Sequence, residues 1–372
     1  MPLILSRAAA AKRNDIPGLD GLRALAAGIV VLSHMSNAKW LSLGGLSFAG
    51  WGKTGVFLFF FLSAFLLSRI QIGQGAGFWT PGGMAAYGLR RLARIVPLYL
   101  LYLTLALVTT WALQASGQRA TAAFPFPLWW QEYLGHLALR DGKSVTWSVP
   151  VELKYYVLLP VVTLGFDLLR RLGLGVMVGI GLAGFGVLAV LSRDAAASNS
   201  VALWPYLCCF WAGSLAGVLS ATAQASEVRP ARGVAGGGMI LGLILLVLTI
   251  PDLSDVLFGD AVTATLRVWL VPLASLCAGL LVLGLEHGPR PLCAVFEAPL
   301  MRAGGALSFG IYLWHMAVLD QIALRTDLTG GLAILALLAG TLALSLASYL
   351  AIEAPILRRS QRLAQHLTRA RP

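Results

Sequence analysis

Leu19-Asp20-Gly21-Leu22-Arg23-Ala24-Leu25-Ala26-Ala27-Gly28-Ile29-Val30-Val31-Leu32-Ser33-His34 is apolar or small almost throughout, with a cation near its start and an imidazole at its end. The run is too long for a strand and lacks strict alternation, so it reads as an α-helix. Eleven residues make about three helical turns, which puts Arg23 and His34 on one face within about 20° and roughly 16 Å apart. An ionisable pair inside a membrane span is costly and marks a functional site by default. Asp20 lies one turn before Arg23. No small-x-small cleavage site follows His34, so this span is expected to stay as an anchor.

The rest of the chain repeats the pattern. Of its 372 residues 58% are hydrophobic and only 12% charged, with a mean hydropathy of +0.78, which excludes an ordinary soluble domain. Apolar runs of bilayer length recur at 18–38, 53–71, 95–115, 149–169, 174–191, 203–221, 235–251, 266–285, 304–323 and 330–352. The expected fold class is therefore all-α, a polytopic membrane helical bundle of about ten transmembrane helices. One domain is expected over residues 1–372, with short cytoplasmic tails at both ends.

A net charge of +12 raises the question of nucleic acid, but the charge is not placed for it. With the N-terminus inside, most Lys and Arg fall in cytoplasmic segments, among them Arg7, Lys12, Arg13, Arg90, Arg91, Arg94, Arg358, Arg359, Arg362 and Arg371. That is the positive-inside bias of a multi-pass protein, and anionic lipid is a sufficient partner for it. Cys208, Cys209, Cys277 and Cys293 have no metal-ligand spacing and read as small core hydrophobes; no metal is expected. The segment 72–94 has the glycines of a cytoplasmic loop, and 116–148 reads as an external loop whose Trp129 and Trp130 suit an interfacial belt, with a short helix through Gln131–Leu139.

Several groups in this frame suit chemistry. Neutral His34 is a suitable base for a hydroxyl, although a histidine there can also simply cap a helix. Arg91 and Arg94 are three apart on neighbouring helix positions and can bind phosphate as forks, although basic residues before a span commonly only set orientation. Glu152, near the outer end of the fourth span and at a depth like that of His34, can orient an imidazole or an acceptor; neutralising Lys154 is the plainer alternative. His315 and Glu353 are weaker candidates, and His136 and His287 read as loop residues.

Taken in order, these segments resemble the third acyltransferase family of integral membrane enzymes, which includes O-antigen and peptidoglycan O-acetylases. Asp20-Gly21-Leu22-Arg23 with His34 resembles its arginine, ten residues, histidine motif. Gly55 to Phe65 resembles its G-V-x-x-F-F-x-L-S-G-F segment, with Ala64 in place of the usual glycine. Arg91-Leu92-Ala93-Arg94-Ile95-Val96-Pro97 resembles R-x-x-R-I-x-P. Trp147-Ser148 followed by Val151-Glu152 resembles W-S-L-S-V-E, with Pro150 replacing a usual serine. Ile311-Tyr312-Leu313-Trp314-His315 and Glu353-Ala354-Pro355 match its closing segments.

The resemblance covers Leu19 to about Arg358. It implies helices around an intramembrane cavity in a cell inner membrane, and transfer of an acyl group from acyl-CoA, acetyl-CoA above all, to a hydroxyl of an envelope polysaccharide or lipid-linked glycan. In that reading His34 and Glu152 are catalytic, Arg23, Arg91 and Arg94 hold the donor, and Trp147, Ser148 and His315 face the acceptor. Larger relatives carry an added extracytoplasmic domain, so this chain would act alone or with a partner protein on the outer side. Two rivals stay open at this point, an acyltransferase for a macrolide or lipid and a transporter without covalent chemistry.

Overall fold

A computed structural model describes residues 16–226 and 230–369. The basic residues Arg7, Lys12, Arg13 and Arg371 lie outside the described residues. The helices run in the order α1 (Leu19–Asn37), α2 (Gly52–Gln74), α3 (Pro81–Ala115), α4 (Trp130–Leu137), α5 (Ser148–Leu172), α6 (Leu174–Leu191) and α7 (Leu207–Ser226). They continue as α8 (Arg232–Leu248), α9 (Pro251–Phe258), α10 (Asp260–Val268), α11 (Leu270–His287), α12 (Arg290–Glu297), α13 (Pro299–Arg325), α14 (Gly330–Ser348) and α15 (Ala354–Arg369). The chain is an all-α, polytopic helical bundle. Among the described residues nine helices are long and apolar enough to cross a membrane. A tenth span exists only if α8 and α9, which meet at 91°, are taken together. The expected span 235–251 breaks there because Pro251 starts a new helix at its first turn.

The chain divides into two compact units, Met1–Ala38, Ser42–Gly73 and Val157–Ser308 in the first, and Lys39–Leu41, Gln74–Tyr156 and Phe309–Pro372 in the second. In the first, small residues let helices approach closely, as membrane helices require. A Cβ on Gly55 would lie 2.4 Å from the Ala26 carbonyl oxygen, and one on Gly213 would lie 2.4 Å from that of Phe61. The aromatic run of α2 fills the resulting core, with Phe60 stacked on Phe210 at 4.7 Å. Ser68 bridges three helices by hydroxyl bonds of 2.9 Å to Thr163 and Ser214. All four cysteines are buried free thiols.

In the second unit α3 is 35 residues long, about 52 Å, well beyond a hydrocarbon core of about 30 Å. The segment 72–94 is thus not a loop throughout: Thr80 caps a helix by accepting from the Gly83 N–H at 3.1 Å, and Pro81 occupies its first turn. Gly82 is there for contact, since a Cβ would stand 2.2 Å from the Leu367 carbonyl oxygen of α15. Between α14 and α15 the chain makes a π-helical turn, Tyr349–Glu353. Pro355 explains it, because its missing N–H breaks the α-helical ladder at that point.

Candidate active site

Arg23 and His34 both lie on α1 in the first unit and are both partly exposed. Arg23 reaches Asp20 at 3.8 Å, one turn back. His34 Nδ1 stands 2.9 Å from the Val30 carbonyl oxygen. A carbonyl only accepts, so the neutral ring carries its proton on Nδ1 and its lone pair on Nε2. Ala27 and Val30, on the stripe between the two residues, are each 1% exposed. The accessible side is a quarter-turn away at Ala24 and Gly28, and a Cβ on Gly28 would meet nothing within 4 Å.

The second unit gathers Arg91, Arg94, Trp147, Ser148, Glu152 and His315. Arg94 Nη1 is 3.6 Å from Glu353 Oε2 of the π turn. Both buried carboxylate oxygens of Glu353 lack a hydrogen-bond partner, as does the buried Nε of Arg91. The Arg91 Nε–H is therefore a donor left for a phosphate, whereas the Glu353 carboxylate, an acceptor, would repel one. Tyr87, one turn before Arg91, donates to the Tyr156 carbonyl oxygen at 2.9 Å, and Tyr156 Oη donates to Glu152 Oε1 at 2.5 Å. Tyr87 lies in electrostatic reach of both Arg91 and Glu152.

Glu152 is consequently linked through Tyr156 and Tyr87 to the neighbourhood of Arg91. Val145, Thr146, Trp147 and Ser148 are buried, and Tyr312 Oη donates to the Val145 carbonyl oxygen at 2.6 Å while accepting from Ser148 Oγ at 2.9 Å. Tyr312 is thirteen residues from the Arg325 end of α13, roughly 20 Å along it. The end of the segment read as an external loop therefore folds into the unit before α5 begins. His315, one turn from Tyr312, is fully buried with its Nδ1 3.0 Å from the Ile311 carbonyl oxygen.

Above this lies an arrangement that sequence reasoning missed. The short helix expected at Gln131–Leu139 is α4, which leaves Trp129 and Trp130 exposed and buries His136. His136 Nδ1 donates to the Glu132 carbonyl oxygen at 2.7 Å, and Nε2 accepts from the Lys143 N–H at 3.2 Å. Lys143 Nζ in turn meets Glu132 Oε1 at 3.1 Å. Burial holds the imidazole below its ordinary range, against the pull of the Glu132 carbonyl and of Asp141. Glu132 is pushed up by partial burial, but the Trp129 N–H and Lys143 outweigh that and hold it low. Spacing alone offered no signal for this lock, because its partners come from an irregular loop.

Residues 16–350 match the family model of the third acyltransferase family, described as an acyltransferase domain. The chain belongs to this family. Its similar proteins include a peptidoglycan O-acetyltransferase, OatA, of Listeria monocytogenes, 23% identical over 335 residues, which are 82% of this chain and 50% of the relative. A putative O-acetyltransferase of Staphylococcus aureus strain COL is 23% identical over 344 residues, 84% of this chain and 52% of the relative. Another from Staphylococcus aureus, the O-acetyltransferase OatA, is 30% identical over 166 residues, 40% of this chain and 24% of its own length. The chain spans about half the length of the first curated relatives it matches. No solved structure matches it. Membership and the apolar helices together make this a multi-pass membrane protein of an acyltransferase family.

Proposed function

We propose that this protein is a membrane O-acyltransferase that moves an acetyl group from acetyl-CoA to a hydroxyl of a cell-envelope glycan or lipid-linked sugar. The observation that carries the reading is His34, whose Nδ1–H is tied to the Val30 carbonyl so that Nε2 presents the lone pair, in a chain of this family. Arg91 and Arg94 in the second unit, and Arg23 in the first, are each assigned to the donor's phosphates on the cytoplasmic side of the inner membrane. On α1 roughly 16 Å of helix separates Arg23 from His34, comparable to the reach of a pantetheine arm.

At His34 the acceptor hydroxyl attacks the thioester carbonyl carbon while Nε2 takes its proton. The C–O bond forms, the C–S bond breaks, and the departing thiolate receives the proton back from the imidazolium. Glu152 is assigned to orient the acceptor, and Trp147, Ser148 and His315 of the same unit to bind it. A transient acyl-histidine is the variant route, with the same overall balance. Both termini face the cytoplasm in this reading. Mass spectrometry of envelope glycans from cells with and without the gene tests it. Loss of acetyl esters on deletion, restored by wild type, is expected; unchanged glycans would refute it.

A further inference from the structure

The first unit holds a cavity of about 480 Å³ at the His34 end of α1, lined by Lys53, Asp194, Thr249, Ser254, Thr263 and Arg267 together with leucine, valine and proline side chains. Its volume falls in the range of small-ligand sites, about 300–1,000 Å³. The walls are pre-set. Lys53 Nζ donates to the Ala196 carbonyl oxygen, and to that of Ser198 at 3.0 Å, which pins the segment before α7 across the rim. Thr249 accepts from Trp51 Nε1 at 2.8 Å, and Thr263 donates to Ser254 at 3.1 Å. Arg267 is exposed at the rim, without a salt bridge among the described residues but within electrostatic reach of Asp255, and Asp194 pairs with Arg193 at 3.6 Å. Donors, hydroxyls and a carboxylate set among apolar walls suit the alternating O–H and C–H faces of a pyranose, and the Asp194 carboxylate disfavours a phosphate.

The cavity also stands beside the proposed base. Gly50 and Lys53 line it, and between them Gly52 packs on α1, where a Cβ would lie 3.8 Å from His34 Cε1. We propose that this cavity is an acceptor subsite, holding one or two sugar units that adjoin the unit acylated at His34. The inference rests on the acyltransferase reading and names the part of the acceptor that this chain grips.

Because the native thiols are buried, Ala197→Cys places one accessible thiol on the cavity wall of the purified full chain. Its rate of modification by a hydrophilic maleimide is measured with a panel of hexose, hexosamine and uronate trisaccharides, with acetyl-CoA, and with short-chain phosphatidylglycerol. At least one trisaccharide should slow labelling about fivefold or more in a saturable way, and neither acetyl-CoA nor the lipid should. Arg267→Ala should then raise the KM for that saccharide about tenfold, as expected for one lost charge-assisted hydrogen bond, with the loss confined to KM. Protection by acetyl-CoA or by the lipid instead would overturn the proposal. So would transfer by wild type to a trisaccharide that fails to protect. If a trisaccharide protects but wild type acetylates none, the cavity stands as a saccharide site and the acyltransferase reading falls; if none protects and none is acetylated, both fall.

Discussion

At the scale of single residues the account turns on three substitutions. His34→Ala removes the proposed base without changing the apolar character of α1, so the protein should insert and fold while transfer drops by about 10²–10⁴. Turnover of the purified variant per folded molecule measures this. Arg91→Gln with Arg94→Gln removes two phosphate forks and frees Glu353 of its partner; acetyl-CoA affinity should fall more than acceptor affinity, read by direct donor binding. Glu152→Gln keeps volume and loses charge. Because Glu152 stands near Arg91, removing its charge should leave donor affinity equal to or above that of wild type while turnover falls. Wild-type turnover with a lowered melting temperature would make Glu152 a structural neutraliser and take it out of the catalytic set. The sequence placed Arg23 and His34 on one face correctly, since helical periodicity within a single span needs no tertiary knowledge. The link from Glu152 through Tyr156 and Tyr87 toward Arg91 was not legible, because it depends on tertiary packing.

At the scale of elements, α4 and the segment to Trp147 form a pH-sensitive lock. Its titrating groups are His136 and Glu132, facing Lys143 and Asp141. The folded His136 is held below its ordinary value of 6.5, so its neutral form belongs to the folded state and the unfolded chain binds the extra proton. Stability is therefore full above 6.5 and falls as the pH drops below it. Glu132 is held below its ordinary 4.5, so its contribution is present above 4.5 and is lost only at lower pH. Between those values His136 acts alone. Hydrogen exchange at Lys143–Trp147, corrected for intrinsic rate, should accelerate between about pH 7 and about pH 5.5 in wild type and stay flat in His136→Asn. A flat wild-type profile would show that the lock does not titrate. The short helix α4 was legible, but the burial of the segment after it and the helical start of α3 were not. Gly82 and Gly83 look like loop glycines yet serve close backbone contacts, and the polar residues around Thr146 are buried because they satisfy one another.

At the scale of the whole molecule, composition and recurring apolar runs made the all-α membrane class legible, because a bilayer leaves helices few alternatives. The count of spans was less legible, since α8 ends at Leu248 and turns through 91° into α9. The claim at this scale is vectorial: a donor taken by basic residues on one side of the membrane, and an acceptor acylated at the His34 end. Proteoliposomes of one protein orientation, with labelled acetyl-CoA on the side of Arg91 and Arg94 and a glycan acceptor only on the other, test it most directly. The account predicts labelled acetyl ester on the acceptor across the membrane from the donor, absent with His34→Ala. Ester formed only when donor and acceptor share one side, or formed equally by His34→Ala, would contradict it.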